Sequence, residues 1–174
     1  HIYNALSTIA ISHFYGIDLK DIALALSDFT GAHRRFEYVG TINNAKIYDD
    51  YAHHPTEIKA TIKAGNELKT NKLWVIFQPH TYSRTYTLFD EFANAFSEAD
   101  RVILTDIYAA READTGLVSS KKLSEAINNV SNNCIYIPTF EEIKDFLKEN
   151  VKENDLVLTV GAGNITKLGY DIKD

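Results

Sequence analysis

The sequence has 174 residues, about the length of one domain, and 18 Lys and Arg against 24 Asp and Glu give a formal charge of −6, which excludes the basic face of a bulk nucleic-acid binder. A hydrophobic fraction of 45% and a charged fraction of 24% exclude disorder as the main state. Cys134 is the single cysteine, which excludes a disulfide framework or multi-cysteine zinc site; with no signal peptide and no apolar run near the ~20 residues that span a bilayer, the expected location is the cytoplasm.

The first elements look truncated. The sequence contains no Met and opens inside a helical pattern, so we expect a piece cut from a longer protein. Residues 1–15 read as a helix on Ala5, Ile9, Ala10 and Phe14, stopped by Gly16. Asp21 to Phe29 reads as a second, with Ile22, Ala23 and Leu26 on one face. Two short helices cannot cover each other, so residues 1–30 are expected to be the tail of an upstream domain and residues 31–174 a domain of their own.

From there the pattern alternates. Phe36 to Ile42 and Lys46 to Asp50 read as strands joined at Asn43-Asn44, residues that tolerate positive φ in a hairpin turn. Pro55 opens a helix to about Leu68, with Glu57 in its first turn. Leu73 to Phe77 is a continuous apolar run, as in a strand buried on both faces. Leu88, Phe89, Phe92, Ala93 and Phe96 form a helical stripe, Arg101 to Thr105 holds a second buried strand, and Ser119 to Val130 is a helix. Cys134 to Ile137 reads as a third buried strand, with Cys134 in the core. Thr139-Phe140-Glu141-Glu142 has the form of a capping box, and Leu156 to Val160 is the fourth buried strand, leading into Gly161-Ala162-Gly163. Strands alternating with helices predict an α/β fold: a doubly wound, mostly parallel Rossmann-like sheet with one antiparallel edge hairpin. Ligands of such sheets bind beyond the carboxyl ends of the strands.

Those ends are rich in chemistry. Asp49-Asp50-Tyr51-Ala52-His53-His54 follows one strand, Gln78-Pro79-His80-Thr81-Tyr82-Ser83-Arg84 another, Asp106-Ile107-Tyr108 a third and Gly161-Ala162-Gly163-Asn164 the last. His53, His54, His80 and Arg84 converge on one predicted rim, which favours a site for an anion. Asp49-Asp50 reads either as a turn feature or as an acceptor for ribose hydroxyls. Arg34-Arg35 reads as a solvated hairpin edge or a bidentate phosphate clamp. Gly161-Ala162-Gly163 lacks the third glycine of a dinucleotide fingerprint, so it reads as a close-approach turn whose N–H groups face an anion. Adjacent histidines without a Cys or HxxxH partner make no metal site, and no GxxxxGK[ST] loop is present to hold a triphosphate.

Four strings together resemble a known family: Gly31-Ala32-His33-Arg34-Arg35-Phe36-Glu37, Asp49 to Glu57, Phe77 to Thr85 and Asp106 to Glu112, in this order and spacing. They are similar to the C-terminal domain of the Mur ligases, and His1-Ile2-Tyr3-Asn4-Ala5-Leu6 resembles a helix near the end of that family's central ATPase domain. The resemblance implies a three-domain, ATP-dependent ligase of peptidoglycan synthesis that joins L-alanine to UDP-N-acetylmuramate through an acyl phosphate. It implies ATP and Mg²⁺ as cofactors, with the phosphate loop and metal ligands on the missing central domain, and the sugar nucleotide on a missing N-terminal domain.

Carried over by position, the resemblance implies that Asn4 contacts adenine, Arg35 the ATP phosphates and Asp50 the ribose. It sets Tyr51, His53, His54, His80 and Arg84 around the amino acid and the reacting acyl group, with Arg84 on the alanine carboxylate and His53 and His54 as candidate bases. The sequence departs from the family at His1 (usually Asn), Thr81 (often Arg) and Asn164 (commonly Asp). The alternatives are a ligase of the same family that recycles the murein tripeptide, and a non-catalytic nucleotide- or amino-acid-binding module. The isolated chain is expected to be inactive.

Overall fold

The computed structural model describes residues 2–29 and 31–174; the His1 departure and residue 30, the last of the predicted first segment, lie outside them. The chain divides into two compact units, His1–Ala32 and His33–Asp174. The first holds α1 (Ile2–Phe14) and α2 (Leu19–Ser27), the latter capped by Asp18, whose carboxylate accepts from the Lys20 N–H at 2.8 Å. No residue of α1 is buried and only Ile22 of α2 is. Tyr3 and Phe14 are each 84% exposed, so this pair presents an apolar surface without a cover inside its own unit.

The second unit is a sheet of six strands in the order β1-β2-β6-β3-β4-β5. They are β1 (Glu37–Ile42), β2 (Ala45–Asp50), β3 (Leu73–Phe77), β4 (Arg101–Leu104), β5 (Cys134–Tyr136) and β6 (Leu156–Val160). Only β1 and β2 run antiparallel. Ile42 pairs with Ala45, so the hairpin loop is Asn43-Asn44, and both residues have positive φ, the type I′ geometry that matches strand twist.

Alternation along the buried strands divides the core between two faces. Leu73, Val75 and Phe77 meet α3 (Pro55–Asn66), α5 (Phe89–Ala93) and α6 (Ser120–Ser131) on one side. Trp74 and Ile76 meet α7 (Phe140–Asn150) and α8 (Ile165–Asp171) on the other. This is the doubly wound sheet the sequence predicts.

Two local expectations change. The stripe from Leu88 to Phe96 is not one helix: α4 (Tyr82–Thr87) ends at Leu88, α5 follows, and Phe92 and Phe96 still reach the core. Cys134 is buried, but the strand it opens has only three residues and forms the sheet's edge, where Ile135 is 39% exposed. An apolar run is the same string at an edge as in the middle; only the strand order tells them apart. Burial pushes the Cys134 thiol up to about 11, so the reactive thiolate is scarce. An aromatic disulfide reagent should therefore modify Cys134 only as fast as the domain opens, with the rate rising in parallel with unfolding in urea. Fast modification in the folded state would contradict this burial.

Candidate active site at the strand ends

β2, β6 and β3 are neighbours, and their carboxyl ends open side by side onto one rim. A buried ion pair fixes that rim. The Arg34 Nε donates to Asp49 Oδ2 at 2.8 Å, its Nη2 to the Gly161 carbonyl at 2.6 Å and its Nη1 to that of Gly163 at 3.4 Å. Asp49 is fully buried and its other oxygen accepts from Thr159 Oγ1 at 2.7 Å. One guanidinium thus ties the start of the hairpin to the end of β2 and to the turn after β6. Removing one member of such a pair leaves an unpaired buried charge, at a cost of about 3–5 kcal/mol.

Asp50, on the opposite face of β2, is also turned inward. It accepts the N–H of Phe36 at 2.9 Å and of Ala52 at 2.8 Å, and burial is the largest influence raising its carboxyl above the usual range. These contacts correct the reading of Arg34-Arg35 as a joint phosphate clamp: Arg34 is spent inside the fold, while Arg35 is exposed, with its guanidinium 5.6 Å from the centre of the Tyr51 ring.

A series of side chains continues along the rim. Tyr51 packs edge-on to His53 at 5.4 Å, the His53 and His80 ring centres lie 6.0 Å apart, and His80 stacks on Tyr108 at 5.6 Å. Arg34 sits 4.9 Å from the Tyr51 ring centre, and Gly163 backs onto Tyr108. The series closes on itself because Arg34 also reaches Gly163. A Cβ on Gly163 would lie 2.4 Å from Gln78 Oε1 and 2.7 Å from Tyr108 Cγ, so only glycine lets the turn approach this closely. The close-approach reading of Gly161-Ala162-Gly163 therefore holds. Within the turn the Gly161 N–H is already committed to the Asp50 carbonyl.

Arg84 lies one helical turn after His80. Its Nη1 donates to His80 Nδ1 at 3.1 Å and to the His80 carbonyl at 3.4 Å. Its Nε and Nη2 have no partner among the described residues, which leaves the outer fork of a half-buried guanidinium open. Thr81, between them, has φ 67° and ψ 144°, a conformation a β-branched residue adopts only under constraint. Its N–H donates to the Tyr108 carbonyl, its carbonyl accepts from Thr85, and its hydroxyl accepts from the Arg84 N–H. Glu112 holds α4 from outside, accepting both the N–H and the hydroxyl of Ser83.

His53 and His54 diverge. Glu57 closes a capping box on α3: its Oε2 accepts the N–H of His53 at 3.0 Å and of His54 at 3.2 Å. His54 Nδ1 accepts the Thr56 N–H, so that imidazole is a helix cap, while the His53 ring faces His80. Burial opposes ionisation of Glu57, but the two N–H bonds and nearby His53 and Arg35 outweigh it and hold the carboxyl below its usual range. Asn4 lies on α1 in the first unit, exposed. Gln78, Tyr108 and Glu112 carry the geometry without having been singled out as site residues from sequence, and Arg34 carries it in a structural role that the clamp reading did not foresee. Among the described residues no group of three or more His, Cys, Asp or Glu could hold a metal ion.

Burial first, then the charges of Arg84 and His53, holds the His80 imidazole below its usual 6.5. A depressed folded value means that acidification costs stability, beginning near the unfolded value of about 6.5 and ending below the folded one. An NMR titration should place the His80 midpoint below 6.5, and Arg84→Gln should raise it; an unmoved midpoint in the variant would contradict the coupling.

Residues 34–163 match the family model described as Mur ligase, glutamate ligase domain. The UDP-N-acetylmuramate–L-alanine ligase of Acetivibrio thermocellus is 49% identical over 169 residues, or 97% of this chain and 36% of that protein. The crystal structure of the UDP-N-acetylmuramate-alanine ligase of Thermotoga maritima superposes with a TM-score of 0.81 at 30% identity, covering 98% of this chain and 36% of that one. A murein peptide ligase from Psychrobacter arcticus is more distant on both measures, with a TM-score of 0.71 and 26% identity over 98% of this chain and 35% of that one. The chain thus spans little more than a third of the length of the relatives it matches, and it belongs to the Mur ligase family, whose glutamate ligase domain it carries.

Proposed function

We propose that this chain is the amino-acid-binding part of a longer ATP-dependent ligase that adds L-alanine to UDP-N-acetylmuramate in the cytoplasm, in peptidoglycan synthesis. The observation that carries this is Arg84: a half-buried guanidinium with an open fork, braced by His80, whose ring in turn faces His53, on the rim of a Mur ligase domain. A planar fork suits a carboxylate, and binding the alanine carboxylate there directs its amine along the imidazole series.

The chemistry needs such a site. A carboxylate cannot be displaced by an amine because oxide does not leave. Transfer of the ATP γ-phosphoryl group to the muramate carboxylate gives an acyl phosphate and ADP. The amine then attacks the acyl carbon, and the tetrahedral intermediate expels phosphate. Charge gathers on phosphoryl and acyl oxygens, where fixed cations lower the barrier. Exposed Arg35 is available to phosphate. Asp50 offers the ribose the lone pairs that its two backbone donors leave free. Mg²⁺ would supply further charge neutralisation; among the described residues no group of three or more His, Cys, Asp or Glu could hold it, and the family resemblance puts its ligands on the central domain. The exposed apolar surface of α1 and α2 fits burial against that same domain.

The test is a ligase assay on the full-length polypeptide with ATP, Mg²⁺, L-alanine and UDP-N-acetylmuramate. Amide product with ADP and phosphate is expected from it and none from residues 1–174 alone. Arg84→Ala should raise the KM for L-alanine by thirtyfold or more, on the order of the 2–5 kcal/mol lost when a buried carboxylate loses its cation, with the KM for ATP little changed. An unchanged alanine KM would remove Arg84 from this role.

A further inference from the structure

The two facing imidazoles have opposite hydrogen-bond obligations. His53 Nδ1 lies 3.0 Å from the Tyr51 carbonyl and 3.6 Å from Glu57 Oε2. Both partners only accept, so Nδ1 carries a proton in either charge state and Nε2 is the nitrogen that gains or loses one. His80 is the reverse. Its Nδ1 lies 3.1 Å from Arg84 Nη1, an obligate donor that never deprotonates. His80 Nδ1 is therefore bare, its proton is on Nε2, and the ring is neutral. One ring therefore offers an acceptor at Nε2 and the other a donor, with ring centres 6.0 Å apart. His54 is absent from this pair because its Nδ1 caps α3.

We propose that His53 Nε2 is the base that deprotonates the incoming ammonium, while His80, with its proton on Nε2 and its Nδ1 held by Arg84, takes no proton from it. This rests on the ligase reading above and assigns the base within it. The step balances: R–NH₃⁺ gives one proton to His53 Nε2, leaving R–NH₂ with a lone pair for the acyl carbon and an imidazolium protonated on both nitrogens. Glu57 stands 3.6 Å from Nδ1, where its ionised carboxylate stabilises the new positive charge. His80 cannot take this role, since a second proton would have to go to the nitrogen that Arg84 already occupies. Glu57 acts as a positioning residue through the His53 backbone and ring.

Nitrogen-15 spectra of the histidine rings in this chain, recorded above their titration range, test the arrangement without any activity. His53 should carry its proton on Nδ1 and His80 on Nε2; a proton on His53 Nε2 would overturn the proposal. In the full-length enzyme, His53→Gln should lower kcat by about a hundredfold to ten-thousandfold, the range of a lost general base. That loss should shrink as the pH rises and the free amine deprotonates unaided. A loss that is constant across pH, or no loss, assigns His53 a structural role and overturns the proposal. A wild-type enzyme without ligase activity would instead defeat the ligase reading and leave the tautomers standing.

Discussion

The rim depends on one buried guanidinium. Arg34 is the first polar side chain of the second unit to enter its interior, and it bonds at once to Asp49, Gly161 and Gly163. Those partners lie 15 to 129 residues away in sequence. A buried ion pair contributes little net stability compared with apolar packing, but it specifies geometry because no other arrangement leaves its charges paired. Here that specification fixes where β2 ends relative to β6, and so where Tyr51 and the residues after it emerge.

The rest of the rim inherits this geometry. Arg34 lies against Tyr51, Tyr51 against His53, His53 opposite His80, His80 on Tyr108, and Tyr108 against the glycine whose carbonyl Arg34 holds. Backbone strain at Thr81 is stored in the same circuit, on the order of 1–3 kcal/mol for such a conformation. It is supported by bonds to Tyr108, Arg84 and Thr85. Polar groups held this way do not need to reorganise when charge develops in a reaction, which is the source of electrostatic catalysis. The imidazole tautomers follow from the same rigidity, because each ring meets a partner with only one hydrogen-bonding sense.

Much of the fold was legible in the sequence because its signals are local. The apolar run from Leu73 to Phe77, the Asn43-Asn44 turn and Pro55 with Glu57 each state their structure within a few residues. The edge position of β5 was not legible, since strand order is a property of the whole chain. For the site, parallel strands predict that their following loops share one rim, and His53, His80 and Arg84 meet there. The division of labour within pairs escaped the sequence. Neighbouring residues at a strand end face opposite ways, so Asp49 took the ion pair and Asp50 the backbone donors; Arg34 went inward and Arg35 outward; His53 faced the rim and His54 capped a helix. Nothing in the adjacent identical letters says which will turn which way. Tyr108 was missed for the same reason: its contact with His80 is made by the bridge that extends β3 and β4 beyond their last regular pairs.

The central claim is that one guanidinium sets the whole rim. Arg34→Lys tests it most directly, because an ammonium can still neutralise Asp49 but cannot fork to the two carbonyls. Amide hydrogen exchange at Tyr51, Gly161 and Thr81, whose N–H groups donate to Arg34, Asp50 and Tyr108 carbonyls respectively, should report the result. The account predicts that all three lose protection together while amides in the middle of β3 keep theirs. Loss confined to Tyr51, with Gly161 and Thr81 unchanged, would mean that the rim's segments are held independently and that the account is wrong.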